Sequence, residues 1–171
     1  MRIIAGKLKG ATLHMLKDKD TRPLKDLARE SIFNLLTHSN KISLKLEQSN
    51  ILDLYAGTGS FGLECLSRHA MSVCFIEKKK DAIKILEKNI EKLKLKNKIK
   101  IFFNDIFELV EKKNIFESKF DLIFCDPPFK DANIEKLIKL ISKKGLLNKN
   151  GIIILHRNKA IRENLPNYFE I

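Results

Sequence analysis

Ile51-Leu52-Asp53-Leu54-Tyr55-Ala56-Gly57-Thr58-Gly59-Ser60-Phe61-Gly62 reads as a buried strand, a sharp turn and the start of a helix. Gly57, Gly59 and Gly62 match the spacing G-x-G-x-x-G, whose glycines let the backbone turn tightly and a ligand approach closely. The spacing alone serves several nucleotide ligands. Asp53 narrows the choice, because it sets a carboxylate at the strand's carboxyl end, four residues before Gly57. A pyrophosphate would be repelled there, whereas a ligand carrying an ammonium and a sulfonium would be attracted. The next strand, Ser72-Val73-Cys74-Phe75-Ile76, ends in Glu77, 20 residues after Gly57. An acidic group at that place can accept both hydroxyls of a ribose. Asp53, the turn residues Ala56, Gly57, Thr58, Gly59 and Gly62, and Glu77 describe a site for S-adenosylmethionine better than one for a nicotinamide dinucleotide. A cap or turn role is the competing reading of Asp53.

Two further strand ends carry the same kind of group. Ile99-Lys100-Ile101-Phe102-Phe103 runs into Asn104-Asp105-Ile106. Asp105 could accept an adenine amino group, with Ile106 against the ring, or cap the following helix. Phe120-Asp121-Leu122-Ile123-Phe124-Cys125 closes in Asp126-Pro127-Pro128-Phe129. That tetrapeptide suits methyl transfer to an exocyclic amino nitrogen. The lone pair of such a nitrogen is delocalised into its ring, so the nitrogen must be bent toward tetrahedral geometry before it attacks. The Asp126 carboxylate and a backbone carbonyl near Pro127 could grip its two N–H groups. Pro127 and Pro128 stiffen the loop and add no competing N–H. Phe129 offers a face for stacking a base, worth ~1–3 kcal/mol. A Pro-Pro turn ending a core strand is the bland alternative.

The pattern predicts strict alternation after residue 50: strands over 51–55, 72–77, 99–104, 120–126 and 151–156, with helices over 60–69, 81–95, 106–113 and 131–144. Apolar strands alternating with helices imply a parallel sheet covered on both faces, with ligands beyond the strands' carboxyl ends. Asp53, Glu77, Asp105 and Asp126 all fall at such ends and are expected to converge on one crevice. Before this core, residues 1–16 read as a hairpin turning at Gly6-Lys7-Leu8-Lys9-Gly10. A helix is expected from Thr21-Arg22-Pro23 to about Thr37. Residues 38–50 read as a linker. The expected organisation is an N-terminal hairpin and helix, 1–40, and a ligand-binding domain, 41–171.

Composition excludes some classes. The 171 residues hold no run of about 18 apolar residues, so no membrane span is expected. The start, Met1-Arg2-Ile3-Ile4-Ala5-Gly6-Lys7, lacks the apolar region of a signal peptide. Cys65, Cys74 and Cys125 form no metal spacing and fit a reducing cytoplasm. No metal site is expected. His14, His38, His69 and His156 are scattered and read as structural or surface residues. The 33 basic and 21 acidic residues leave a net charge of +12, which favours an anionic partner such as nucleic acid. Residues 1–30 carry net +4, against +8 for the other 141, so the N-terminal segment is the more basic per residue.

Asp53-Leu54-Tyr55-Ala56-Gly57-Thr58-Gly59 and Asp126-Pro127-Pro128-Phe129 resemble the class I methyltransferases that act on amino groups. Met1 to Lys7, Thr21-Arg22-Pro23, Asp26 and Arg29-Glu30-Ser31-Ile32-Phe33-Asn34-Leu35 narrow the likeness. Together they resemble the RsmD family, bacterial 16S ribosomal RNA guanine-N2 methyltransferases, from Met1 to about Leu155. The resemblance implies a Rossmann-like fold, S-adenosylmethionine as donor and the loop of Asp126, Pro127, Pro128 and Phe129 as catalytic. It implies the small ribosomal subunit or its assembly intermediate as substrate, with phosphate contacts from Lys7, Lys9, Arg22, Lys25 and Arg29. A cytoplasmic monomer is expected. Leu24 and Leu27 replace a threonine and an arginine of the family pattern. The family's sheet closes with an antiparallel strand pair, and Tyr168-Phe169-Glu170-Ile171 fall where the first would begin. A short sheet or a truncated sequence is therefore expected. Two rivals stand beside this reading. One is an amino-methyltransferase acting on DNA adenine or a protein glutamine. The other is a nicotinamide-dependent oxidoreductase or nucleotide-binding module.

Overall fold

Strands β1 (Asn50–Leu54), β2 (Ser72–Glu77), β3 (Ile99–Phe103), β4 (Phe120–Cys125) and β5 (Leu147–Leu155) form one sheet. Its order is β3-β2-β1-β4-β5, and every pairing is parallel. The computed structural model describes residues 1–16, 24, 26–112, 115–128 and 133–157. Helices α1 (Asp26–His38), α2 (Ser60–Ser67), α3 (Lys80–Leu93), α4 (Ile106–Glu111) and α5 (Ile134–Lys143) cover the sheet. The expected class I α/β architecture is therefore present. The chain reverses its direction of winding between β1 and β4, and in such sheets ligands bind at that reversal.

Although the strands are apolar throughout, their residues alternate between two cores. Ile51, Val73, Phe75, Leu122 and Phe124 face α1, α2 and α3, against Phe33, Phe61, Leu66 and Leu86. Leu52, Leu54, Cys74, Ile76, Ile123 and Cys125 face α4 and α5. In α5, Ile134, Leu137, Ile138 and Ile141 are buried at helical spacing. Each such side chain contributes roughly 1.5–3 kcal/mol of transfer free energy.

Two boundaries differ from the sequence pattern in an instructive way. β5 begins at Leu147, before the expected 151, because its pairing slips between Phe120↔Leu147 and Leu122↔Ile152. The irregular stretch holds polar Asn148, Lys149 and Asn150, which hide the strand from an apolar pattern. The N-terminal hairpin is held by the bridge Arg2↔Thr12 rather than by two full strands. Ile3 N–H donates to Ala11 at 2.9 Å and Gly10 N–H to Ile3 at 2.9 Å. The expected helix start at Thr21-Arg22-Pro23 lies outside the described residues, as do Phe129, Lys25 and the C-terminal 158–171.

The hairpin and α1 share the core of the sheet. Ile3, Leu13, Leu24, Phe33 and Leu36 join the cluster built on Ile51 and Phe75. Gly6 lies against the end of α2, where a Cβ would sit 2.0 Å from the Ser67 carbonyl oxygen. Its φ of +81° and this contact both demand glycine. Among the described residues, no helix is long and apolar enough to cross a membrane.

Candidate active site at the strand ends

The turn after β1 is held by backbone geometry and two carboxylates. Ala56 N–H donates to Ile76 at 3.0 Å, and Gly59 N–H to Ala56 at 2.8 Å. Gly57 has φ +56°, and nothing lies within 4 Å of the place its Cβ would take. Its open side faces the cavity described below. Gly62 serves packing instead, since a Cβ there would come within 2.4 Å of the Phe75 ring. Asp53 is 1% exposed, and its Oδ2 accepts Gly62 N–H at 3.0 Å. Burial pushes its carboxyl well above the usual range; the Gly62 N–H opposes this, while Asp126 and Glu77 add to it. Glu77 accepts three N–H groups, from Gly57 at 2.7 Å on Oε2 and from Lys78 and Lys79 at 2.8 Å on Oε1. A carboxylate has about four lone-pair sites, so Oε2 keeps one for a ligand hydroxyl.

Asp105 caps α4 by accepting Phe107 N–H at 2.9 Å and pairs with Lys78 at 3.0 Å. Its burial favours the neutral acid, yet the Lys78 ammonium and the Phe107 N–H win and hold the carboxyl below its usual value. The cap role, left open by the sequence, is therefore present. Asp105 and Ile106 also line the cavity. Asp126 follows β4 and lies 2.8 Å from His156 Nδ1, with Oδ1 as its partner atom. Burial raises the Asp126 carboxyl, and His156 offsets part of that rise. Arg157 Nη1 donates to the Pro128 carbonyl at 3.1 Å.

All these groups meet in one cavity of about 510 Å³. Asp53, Glu77, Asp105 and Asp126 stand on its walls, with Ala56, Gly57, Thr58, Ile106, Pro127 and Pro128. Gly59 and Gly62 shape the turn behind it. Four acidic strand ends, read separately along the chain, thus face one space. Phe129 is outside the described residues.

Sequence reasoning missed the rest of the wall. His156 and Arg157 follow β5 and contribute, as do Lys78 and Lys79 after β2. His156, expected to be a structural or surface residue, stands on the cavity wall against Asp126. Only the neighbouring positions of β4 and β5 bring it to Asp126, 30 residues away. Met15, Leu16, Leu24 and Ala28 add an apolar side from the N-terminal segment. Met15 sulfur accepts the Thr58 hydroxyl at 3.7 Å. This segment is steered by α3: Lys92 Nζ donates to Thr12, and Asn89 bonds His14 and Thr58.

One expectation about the basic residues is corrected. Arg29 is fully buried, not poised for phosphate. Its guanidinium donates to the Arg2 carbonyl and to Asp26 and stands 3.9 Å from Glu64. Glu64 in turn accepts Ile4 and Ala5 N–H at 2.7 and 2.9 Å and pairs with Arg68 at 2.9 Å. Arg29 is thus part of the hairpin's anchor, because folding turns that side of α1 inward. Lys7 and Lys9 are exposed. They do not stand beside the crevice, however, because Lys7 N–H bonds Ser67 at the far end of α2. Ser60, at the other end, lines the cavity, about 10 Å away at roughly 1.5 Å per residue. Arg22 and Lys25 lie outside the described residues.

The whole chain, residues 1–171, matches the family described as Conserved hypothetical protein 95. It is 32% identical over 163 residues to Ribosomal RNA small subunit methyltransferase D of Buchnera aphidicola subsp. Baizongia pistaciae, covering 95% of this chain and 79% of that one. The protein of the same name from Haemophilus influenzae is 34% identical over 159 residues, covering 93% and 79%. A solved structure described as "Putative methyltransferase yhhF from Escherichia coli" superposes with a TM-score of 0.76 at 29% identity, covering 90% of this chain and 78% of that one.

Proposed function

We propose, since this chain belongs to the RsmD family of small-subunit ribosomal RNA methyltransferases, that it methylates the exocyclic N2 amino group of a guanine in 16S ribosomal RNA. S-adenosylmethionine is the donor. The observation that carries this reading is the meeting of Asp53, Glu77, Asp105 and Asp126 in one cavity beside the Asp126-Pro127-Pro128 loop.

The cavity suits that donor. Gly57 leaves its wall open to close approach. Asp53 is a buried carboxylate whose ionisation is disfavoured by its surroundings, and a cationic ligand offsets that cost. Glu77 takes a ribose hydroxyl on the free site of Oε2, while Asp105 and Ile106 hold the adenine. When bound, the donor supplies an electrophilic methyl group on a sulfonium.

The chain's residues then orient the acceptor. Asp126 takes one amino N–H as a hydrogen bond and the Pro127 carbonyl takes the other, which aims the nitrogen lone pair along the line of attack. Phe129 stacks on the base. Positioning and electrostatics supply most of the rate, and no strong base is needed before attack, because the amino proton becomes acidic once nitrogen is methylated. Met15, Leu16, Leu24 and Ala28 keep water from one side of the cavity. The guanine is flipped out of its helix to reach this depth. Lys7, Lys9, Arg22 and Lys25 hold phosphates, giving register more than sequence choice. The enzyme acts as a cytoplasmic monomer on assembled or partly assembled subunits, whose shape selects the nucleotide.

Tritium transfer from labelled donor tests the assignment across naked 16S RNA, small subunits from a strain lacking the protein, and duplex DNA. Labelling of guanine N2 in subunits is the expected result. Equal labelling of DNA, or labelling of adenine, overturns it.

A further inference from the structure

The Asp126-Pro127-Pro128 loop is gripped at both ends by the two consecutive residues that follow β5. His156 Nδ1 lies 2.8 Å from Asp126 Oδ1, and Arg157 Nη1 donates to the Pro128 carbonyl at 3.1 Å. His156 N–H also donates to the Cys125 carbonyl at 2.9 Å, which extends the β4–β5 pairing by one residue. The imidazole is thus carried by backbone pairing and not by a free loop. Its side chain is about one-third exposed and lines the same cavity as Asp126.

We propose that His156 is a positioning residue for methyl transfer, holding Asp126 so that Oδ2 alone meets the substrate amino group. This rests on the role given above to the Asp126 loop. A carboxylate on a short side chain can rotate and offer either oxygen. A donor fixed on Oδ1 removes that freedom before substrate arrives. The Nδ1–H tautomer, or the imidazolium, supplies the donor; the other neutral tautomer would set a lone pair against the carboxylate. Preorganisation of this kind raises turnover because alignment is complete before the reaction begins. Arg157 supports the same end by fixing the loop beyond Pro127. Donor binding is expected to be independent of His156, because the groups proposed to hold the donor follow β1, β2 and β3.

Three substitutions separate a positioning role from a packing role. Asparagine sets an amide N–H near the place of Nδ1, glutamine sets one near Nε2, and alanine sets none. With small subunits as substrate, His156→Ala and His156→Gln should lower kcat about ten- to hundredfold, the effect of one hydrogen bond to a charged group. The KM for donor should stay unchanged, and His156→Asn should recover most of kcat. Equal melting temperatures for Asn and Gln variants make their comparison independent of folding. The inference is overturned if all three variants turn over like the wild type, or if Asn is as slow as Ala. Asp126→Ala serves as the reference. If it retains turnover, the loop's proposed role fails; if it is inactive while the His156 variants are normal, only the positioning role fails.

Discussion

Asn89 and His14, 75 positions apart, hold each other by two hydrogen bonds. His14 N–H donates to Asn89 Oδ1 at 2.7 Å, and Asn89 Nδ2 donates to the His14 carbonyl at 3.1 Å. The same Nδ2 donates to the Thr58 carbonyl at 3.1 Å. A single buried amide therefore ties the N-terminal segment to the glycine turn and sets the neighbouring Met15 against the cavity. Asn89→Ala strands these backbone groups. It should cost about 2–4 kcal/mol of stability by urea unfolding and weaken binding of S-adenosylhomocysteine in calorimetry. Wild-type affinity in a destabilised variant would detach the segment from the ligand site.

Glu77 braces the turn through Gly57, Lys78 and Lys79 and keeps one site on Oε2. Glu77→Ala should weaken S-adenosylhomocysteine binding by ~1–3 kcal/mol, the value of a charged hydrogen bond. Unchanged affinity in a folded variant would show that Glu77 holds no ribose.

Asp53 should link stability to pH in the direction opposite to a salt-bridged aspartate. Burial raises its native carboxyl, so the native state holds this proton more tightly than the unfolded chain. The stability it contributes is full below the unfolded value and is lost as pH rises through the native one. Asp53→Asn keeps an acceptor for Gly62 N–H but no charge. It should be more stable than the wild type near about pH 8, lose that advantage near about pH 4, and bind S-adenosylmethionine more weakly. Urea midpoints at both pH values check the first part. An advantage equal at both would remove the linkage.

Asp126→Ala should leave donor affinity near normal and collapse kcat, because its contact with the amine matters most as the nitrogen pyramidalises. In the wild type, turnover needs the ionised carboxylate. Because burial raises this group, with His156 opposing, the acid limb of kcat should lie above the usual aspartate value. A limb at or below that value would place the essential ionisation elsewhere.

Lys7 and Lys9 are exposed at the end of α2 remote from the cavity. Changing both to glutamate should weaken subunit binding and flatten its salt dependence, while kcat at saturating substrate stays near wild type. A steep loss of kcat with unchanged salt slope would argue against peripheral phosphate contacts.

The alternation of strands and helices was legible along the chain because it arises from local periods and from punctuation such as Gly57-Thr58-Gly59 and Pro127-Pro128. The acidic strand ends were legible for a related reason. In a parallel sheet every carboxyl end faces one way, so position in the strand alone sends Asp53, Glu77, Asp105 and Asp126 to one edge. Tertiary structure decided what stands opposite them. That His156 meets Asp126 depends on β5 pairing with β4. That Arg29 is buried under the hairpin, instead of facing RNA, depends on how α1 docks. The descent of Lys7 and Lys9 to the far end of α2, and the return of the chain to the cavity by way of Asn89, depend on contacts between residues about 60 to 80 positions apart. No local period encodes such contacts, because they form only once strand order and helix packing have brought remote segments together.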